Sequence, residues 1–252
     1  MADDVTVAVE DHVATVEFHR PPNNFFDVPL IQALVKAVFA LDDDPDCRAI
    51  VLCSEGKNFC AGADLGPQSD LVDNTANLYE QAVALFSAKK PIVAAVQGAA
   101  VGGGLGLALA ADFRVATPDT RFSCNFAKLG FHQGFGVSVT LPAVVGQQRA
   151  LELMYTGGQA KGAEALAIGL ADRLSSNEDL RAAAHEFAGE IASSGPLAVL
   201  AIRETMRGEL ADRVRAATAR EHEQQQILRA TSDFQEGVAA MGERRPPRFT
   251  GK

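Results

Sequence analysis

The sequence predicts an α/β fold whose C-terminal part is helical. Three observations carry this: the N-terminus alternates apolar and polar residues, two short β-branched runs are apolar throughout, and from about Gly146 the chain is rich in Ala, Glu, Arg and Gln. Strands alternating with helices in this way form a sheet buried under helices.

The elements follow in order. Residues 5–9 and 13–18 alternate around Glu10-Asp11-His12, which predicts a hairpin, and Pro21-Pro22-Asn23-Asn24 then breaks the chain. Over 28–41, Leu30, Ile31, Leu34, Val35, Val38 and Leu41 fall at helical spacing, ended by Asp42-Asp43-Asp44-Pro45. The run at 49–53 (AIVLC) is too short for a helix and is predicted to be a buried strand. A helix is expected over 72–88, with Leu78, Ala82, Leu85 and Phe86 inward, stopping at Lys89-Lys90-Pro91. Residues 92–96 form a second buried strand, then come a small-residue helix to about Ala111 and strands near 113–116 and 121–124. Helical segments are expected near 147–155, 161–168, 178–193, 196–208 and 212–229. The mixed charges at 203–229 read as solvated helix faces and subunit contacts.

Composition narrows the function. The chain has 252 residues, 47% of them hydrophobic, enough for one large domain or a domain with an appendage. Its net charge of −9 and pI of about 5.1 argue against general nucleic-acid binding, which needs a basic surface. No apolar run reaches the length of a membrane span. The acidic, alternating N-terminus resembles neither a signal nor a transit peptide, so the expected location is cytoplasmic. Cys47, Cys53, Cys60 and Cys124 have no CxxC spacing and no Cys/His cluster suited to zinc; they are expected to be reduced thiols. No metal and no permanently bound cofactor is expected.

Two small-residue turns carry the chemistry. Phe59-Cys60-Ala61-Gly62-Ala63-Asp64 follows the strand at 49–53, and Val101-Gly102-Gly103-Gly104-Leu105-Gly106 follows the strand at 92–96. Small residues there let backbone N–H groups approach a ligand, and a helix starting at Gly103 would aim its unpaired N–H groups at it. Two such N–H groups converging on one oxygen make an oxyanion hole, in which one donor is typically worth about 3 kcal/mol to a transition state. Either turn alone is also compatible with a tight connection. A dinucleotide fingerprint fails because Leu107 stands where its last glycine belongs, and a phosphate-binding P-loop fails because Gly104 stands where lysine is required.

Together these residues resemble the crotonase (enoyl-CoA hydratase/isomerase) superfamily. The matching pieces include Arg20-Pro21-Pro22-Asn23, both turns, Lys90-Pro91-Ile92-Val93-Ala94-Ala95-Val96, Ala111-Asp112-Phe113-Arg114, Thr156-Gly157-Gly158 and the Pro246-Pro247-Arg248-Phe249 end, and they cover nearly the whole chain. The resemblance implies a crotonase-like core of ββα spiral units over residues 1–195 and a helical trimerisation region over 196–252. It implies a homotrimer or hexamer, and an acyl-CoA ligand, with coenzyme A as part of the substrate. The thioester oxygen would accept the N–H groups of Ala63 and Gly103, and backbone around Ala61, Ala63 and Leu65 would meet the adenine end. Arg244 falls where some relatives place a basic residue near a CoA phosphate.

The family's hydratases use two glutamates to orient water and deliver a proton. Those positions are Gly106 and Phe126 here, so both glutamates are absent. Relatives with other reactions carry a carboxylate near Gln133 or Gly134, and this chain does not. Histidine can serve as acid or base at physiological pH, so His132 is the candidate substitute; its ring either faces the acyl pocket or turns away to bond with backbone. Cys124 is either a nucleophile with a lowered pKa or a small core residue. Asp64 and Asp112 are expected to cap or brace turns, and Asp70 is either an exposed loop charge or a group over the pocket. His12, His19, His185 and His222 are expected on the surface or on distal segments. Phe126, Phe131 and Phe135 suggest an aromatic-lined pocket. Three functions stay open: an acyl-CoA-processing enzyme with atypical acid–base residues, a non-catalytic acyl-CoA-binding protein, and a double-bond isomerase using one base.

Overall fold

Val5–Glu10 (β1) and Val13–Phe18 (β2) pair antiparallel through the turn at Asp11 and His12, as the alternation predicts. Residues 4–64 and 71–252 of the computed structural model are described, with only the backbone of 71–75. Val28–Asp42 (α1) starts where the Asp27 carboxylate accepts the Leu30 N–H at 2.9 Å, a helix cap that meets an otherwise unpaired donor. Ala49–Ser54 (β3), Leu71–Leu85 (α2) and Ile92–Val96 (β4) follow. Next come Ala99–Val101 (β5), Gly103–Ala110 (α3), Phe113–Ala116 (β6), Arg121–Ser123 (β7) and a short 3₁₀ turn over Asn125–Leu129. Val137–Val145 (α4), Gln147–Thr156 (α5), Gln159–Lys161 (β8), Gly162–Ala167 (α6) and Arg173–Leu174 (β9) come before the last four helices. These are Leu180–Ala192 (α7), Pro196–Arg207 (α8), Leu210–Arg229 (α9) and Ser232–Gly242 (α10).

Six strands form one sheet in the order β1-β2-β3-β4-β6-β9, parallel except for the opening hairpin. Its central strands are buried on both faces, which is why they are continuously apolar. Successive residues point to opposite faces. Ile50, Leu52, Ala94 and Val96 join Leu30, Ile31 and Leu34 of α1 in the main core. Val51, Cys53, Val93 and Ala95 meet Leu180, Ala184 and Ala188 of α7 on the other face. A smaller sheet, β5-β7-β8, stands apart from the six-stranded one.

The elements β5, α4, β8, β9 and α10 were not anticipated from the sequence. The three strands among them have two or three residues each, too few for a period to show. Pro142 and the Gly134–Gly136 stretch hide α4, which tolerates the proline within its nine residues. The expected helix over 72–88 ends at Leu85, and its last inward residue, Phe86, is buried in the turn that follows. Among the described residues no helix is long and apolar enough to cross a membrane.

Asp112 ties α8 to the sheet. Its carboxylate accepts the Ile92 N–H at 2.8 Å and Arg203 Nε at 3.1 Å, and forms an ion pair with Arg207, whose Nε lies 3.3 Å away. Asp112 and Arg203 are both about nine-tenths buried, so neither charge has water as an alternative partner. Asp112→Ala is expected to lower the unfolding free energy by about 3–5 kcal/mol, read from urea unfolding, because it leaves a buried guanidinium uncompensated.

Candidate functional site

Backbone contacts press the two glycine-rich turns together. Cys60 N–H donates to Ala99 O at 2.9 Å, and Val101 N–H donates to Cys60 O at 3.0 Å. A Cβ on Gly104 would lie 2.1 Å from Cys60 O, and one on Gly62 would lie 2.7 Å from Val101 O. Glycine is therefore required at both places for the strand ends to approach. Phe26 N–H donates to Gly62 O at 3.0 Å. The peptide is planar and trans, so this bond turns the following N–H, that of Ala63, away from Phe26. On the second turn, Gly106 N–H makes the first bond of α3, to Gly102 O at 3.2 Å. The N–H groups of Gly103, Gly104 and Leu105 precede that ladder and carry the positive end of the helix dipole.

A cavity of about 810 Å³ opens between these turns. Ala61, Ala63 and Gly103 all line it, so two of the three candidate catalytic positions and one candidate contact share one wall. Phe126, Phe131 and Phe135 line it as well, joined by Phe25 and Phe26. The aromatic wall has a definite build: Phe135 lies 5.3 Å from Phe26 and 6.3 Å from Phe86, centroid to centroid, and takes φ +61°. Its ring fills the space beside α3, because a Cβ on Gly106 would lie 2.6 Å from Phe135 Cβ. Neither residue 106 nor 126 thus presents a polar side chain to the cavity. Asp64 is the one carboxylate among the described lining residues.

Other predicted residues fall elsewhere. The His132 ring does not line the cavity; its Nδ1 lies 2.8 Å from the Gln133 carbonyl, the backbone-bonded arrangement left open above. Arg244 is exposed at φ +56°, past the end of α10, and is not in the cavity wall. Leu65 and Asp70 lie outside the described residues. His222 is not distal as expected: its ring stands edge-on to Tyr79, 6.3 Å between centroids.

The C-terminal helices close the cavity, which corrects the expectation that the charged stretch at 203–229 is only solvated face and subunit contact. Gln225 and Arg229 of α9 line it, with Val238 and Met241 of the following segment. Glu221, one turn earlier on the same stripe, is buried and accepts the N–H groups of Gly136 and Ser138 at 2.9 and 3.1 Å. Burial pushes its carboxyl above the ordinary range, against those hydrogen bonds. Tyr79 of α2 also lines the cavity and donates its hydroxyl to Gln225 Oε1 at 2.8 Å. A signal for Tyr79 was present: it stands three residues before inward Ala82 and seven before Phe86. For Gln225 there was only the spacing of four from Glu221 and Arg229, in a stretch without apolar contrast.

Residues 8–252 match the family model described as enoyl-CoA hydratase/isomerase. The chain is 33% identical to an (E)-benzylidenesuccinyl-CoA hydratase of Thauera aromatica, over 98% of this chain and 99% of that one. It is 31% identical to a crotonyl-CoA hydratase of Syntrophomonas wolfei, over 99% of each. The crystal structure of an enoyl-CoA hydratase/isomerase from Pseudoalteromonas atlantica T6c superposes with a TM-score of 0.87 at 30% identity, covering 98% of this chain and 100% of that one.

Cys124 is buried, and burial pushes its thiol up to about 12, with no cation to offset it. Cys60, in the first turn, is also pushed to about 12 by burial. Both are therefore protonated near neutrality and are core residues. Iodoacetamide at pH 8 is expected to leave both unmodified in the folded protein and to label them in denaturant; mass spectrometry of the digested chain reads the difference.

Proposed function

The chain belongs to the enoyl-CoA hydratase/isomerase family, and from that premise we propose that it acts on acyl-CoA and enoyl-CoA thioesters, holding the thioester oxygen with the N–H groups of Ala63 and Gly103. The observation that carries this reading is the placement of both residues on one cavity wall, with the Gly62 carbonyl turned to Phe26 and Gly103 at the start of α3. As an α-proton leaves such a thioester, negative charge gathers on its oxygen. Donors already fixed there stabilise the enolate with little reorganisation. The bulk of the acyl group would lie against Phe25, Phe26, Phe126, Phe131 and Phe135. That wall suits a bulky or aromatic acyl group, in keeping with the benzylidenesuccinyl-CoA for which the Thauera relative is named.

The proton transfer differs from that of a two-glutamate hydratase. Gly106 and Phe126 supply no carboxylate, and Phe135 occupies the space beside residue 106. Among the described residues two candidate carriers remain: Asp64, which lines the cavity, and His132, whose ring would have to leave the Gln133 carbonyl. Ala61 and Leu65 are proposed contacts for the adenine end, and Arg244 for a CoA phosphate. The same cavity with so few proton carriers also favours a second reading, an acyl-CoA-binding protein without turnover.

A panel of acyl-CoA and enoyl-CoA thioesters, followed by mass spectrometry, tests both readings. Hydration of crotonyl-CoA is expected to be slower than in a two-glutamate hydratase by about 10²- to 10⁴-fold for each missing acid–base group. Turnover of another thioester, lost in Asp64→Asn or in His132→Ala, identifies the carrier. Thioesters that raise the melting temperature but stay unchanged favour the binding reading. Crotonyl-CoA hydration at the full rate would sink the proposed role of the missing glutamates.

We also propose that residues 196–252 assemble the chain into a trimer or hexamer. Ile202 and Met206, one turn apart on α8, are 62% and 77% exposed, and Leu197 at the start of the same helix is 80% exposed. Sedimentation is expected to show a trimer or hexamer, with Ile202→Asp shifting it toward monomer; a monomeric parent protein would refute the assembly.

A further inference from the structure

Resting on the acyl-CoA reading, we infer that Tyr79 is a specificity residue that selects acyl groups bearing a hydroxyl. Gln225 Nε2 lies 3.0 Å from the His132 carbonyl oxygen and 3.3 Å from that of Gln133. Carbonyls only accept, so the amide nitrogen must face them and Oε1 must face Tyr79. Oε1 only accepts, so the Tyr79 hydroxyl must be the donor in the 2.8 Å contact. The phenol proton is thereby committed inside the protein. The phenol oxygen can then only accept from a ligand in the cavity that Tyr79 lines.

Ionisation does not change this assignment. Burial, together with the carboxylate of Glu221, pushes the phenol well above its ordinary value, so it keeps its proton at neutral pH. The arrangement is also held in place. A Cβ on Gly134 would lie 1.9 Å from Tyr79 Oη and 2.6 Å from Gln225 Nε2. The phenol and the amide thus occupy the space that any side chain on residue 134 would take. The surrounding wall is aromatic, so an acceptor there meets few rivals for a ligand's O–H group. A hydroxyl satisfies the acceptor. A plain hydrocarbon offers the phenol oxygen no donor beyond the backbone N–H of Phe135, and an ether or carbonyl of similar shape opposes it with a second acceptor.

The experiment measures dissociation constants by calorimetry for phenylacetyl-CoA, its 2-, 3- and 4-hydroxy forms, its 4-methoxy form and 3-hydroxy-3-phenylpropanoyl-CoA with its 3-phenylpropanoyl parent. At least one hydroxylated thioester is expected to bind roughly three- to ten-fold more tightly than its parent, the yield of one neutral hydrogen bond. The methoxy form is expected to show no gain. In Tyr79→Phe the hydroxyl-to-parent ratio is expected to fall to about one; if that variant does not fold, the ratios of the parent protein alone decide. Parent and hydroxylated thioesters binding equally, or a preference that survives in Tyr79→Phe, would overturn the assignment to Tyr79 while leaving the acyl-CoA reading intact. Failure of every thioester to bind would overturn both.

Discussion

The site depends on one constraint, the backbone-to-backbone contact of Cys60 with Ala99 and Val101. Two hydrogen bonds of 2.9 and 3.0 Å join the end of one glycine-rich turn to the other. Gly62 and Gly104 stand where any β-carbon would strike a carbonyl oxygen. This contact puts Ala63 and Gly103, far apart in sequence, on one cavity wall. The sheet behind it has both faces covered, by α1 and the main core on one side and by α7 on the other. A sheet packed on both faces holds the two turns it carries in a fixed position.

Around that wall the lining is largely aromatic. Phe135, held at φ +61° and fully buried, takes the space beside Gly106, and Phe126 lines the cavity. Polar groups enter instead from α2 and α9, through Tyr79 and Gln225. Glu221 anchors the start of α4 by accepting the N–H groups of Gly136 and Ser138, which fixes the loop carrying Phe135. The arrangement keeps Ala63 and Gly103 on the wall of an apolar, aromatic space, with Asp64 the one carboxylate among the described lining residues.

Much was legible in the sequence. The hairpin, β3, β4, α1, α3 and most later helices followed from period and punctuation, because burial of one stripe or of two faces leaves a direct trace in residue order. The importance of both turns was legible for the same reason: runs of small residues after buried strands have a backbone cause. Less visible were β5, β8 and β9, whose two or three residues are specified by their partners. The face of α9 was missed because a buried polar stripe and a solvated one have the same composition. Only hydrogen-bond partners contributed by distant segments distinguish them.

The sequence by itself determined the α/β class and the two small-residue turns, since each is a property of residue type and local order. Tertiary structure decided which side chains meet. It turned His132 toward its own neighbour's carbonyl, pressed Phe135 against Gly106, and brought Tyr79 across 146 residues to Gln225. The reason is physical: a hydrogen bond or a packing contact is set by distance and direction in space, and neither is encoded at any fixed spacing along the chain.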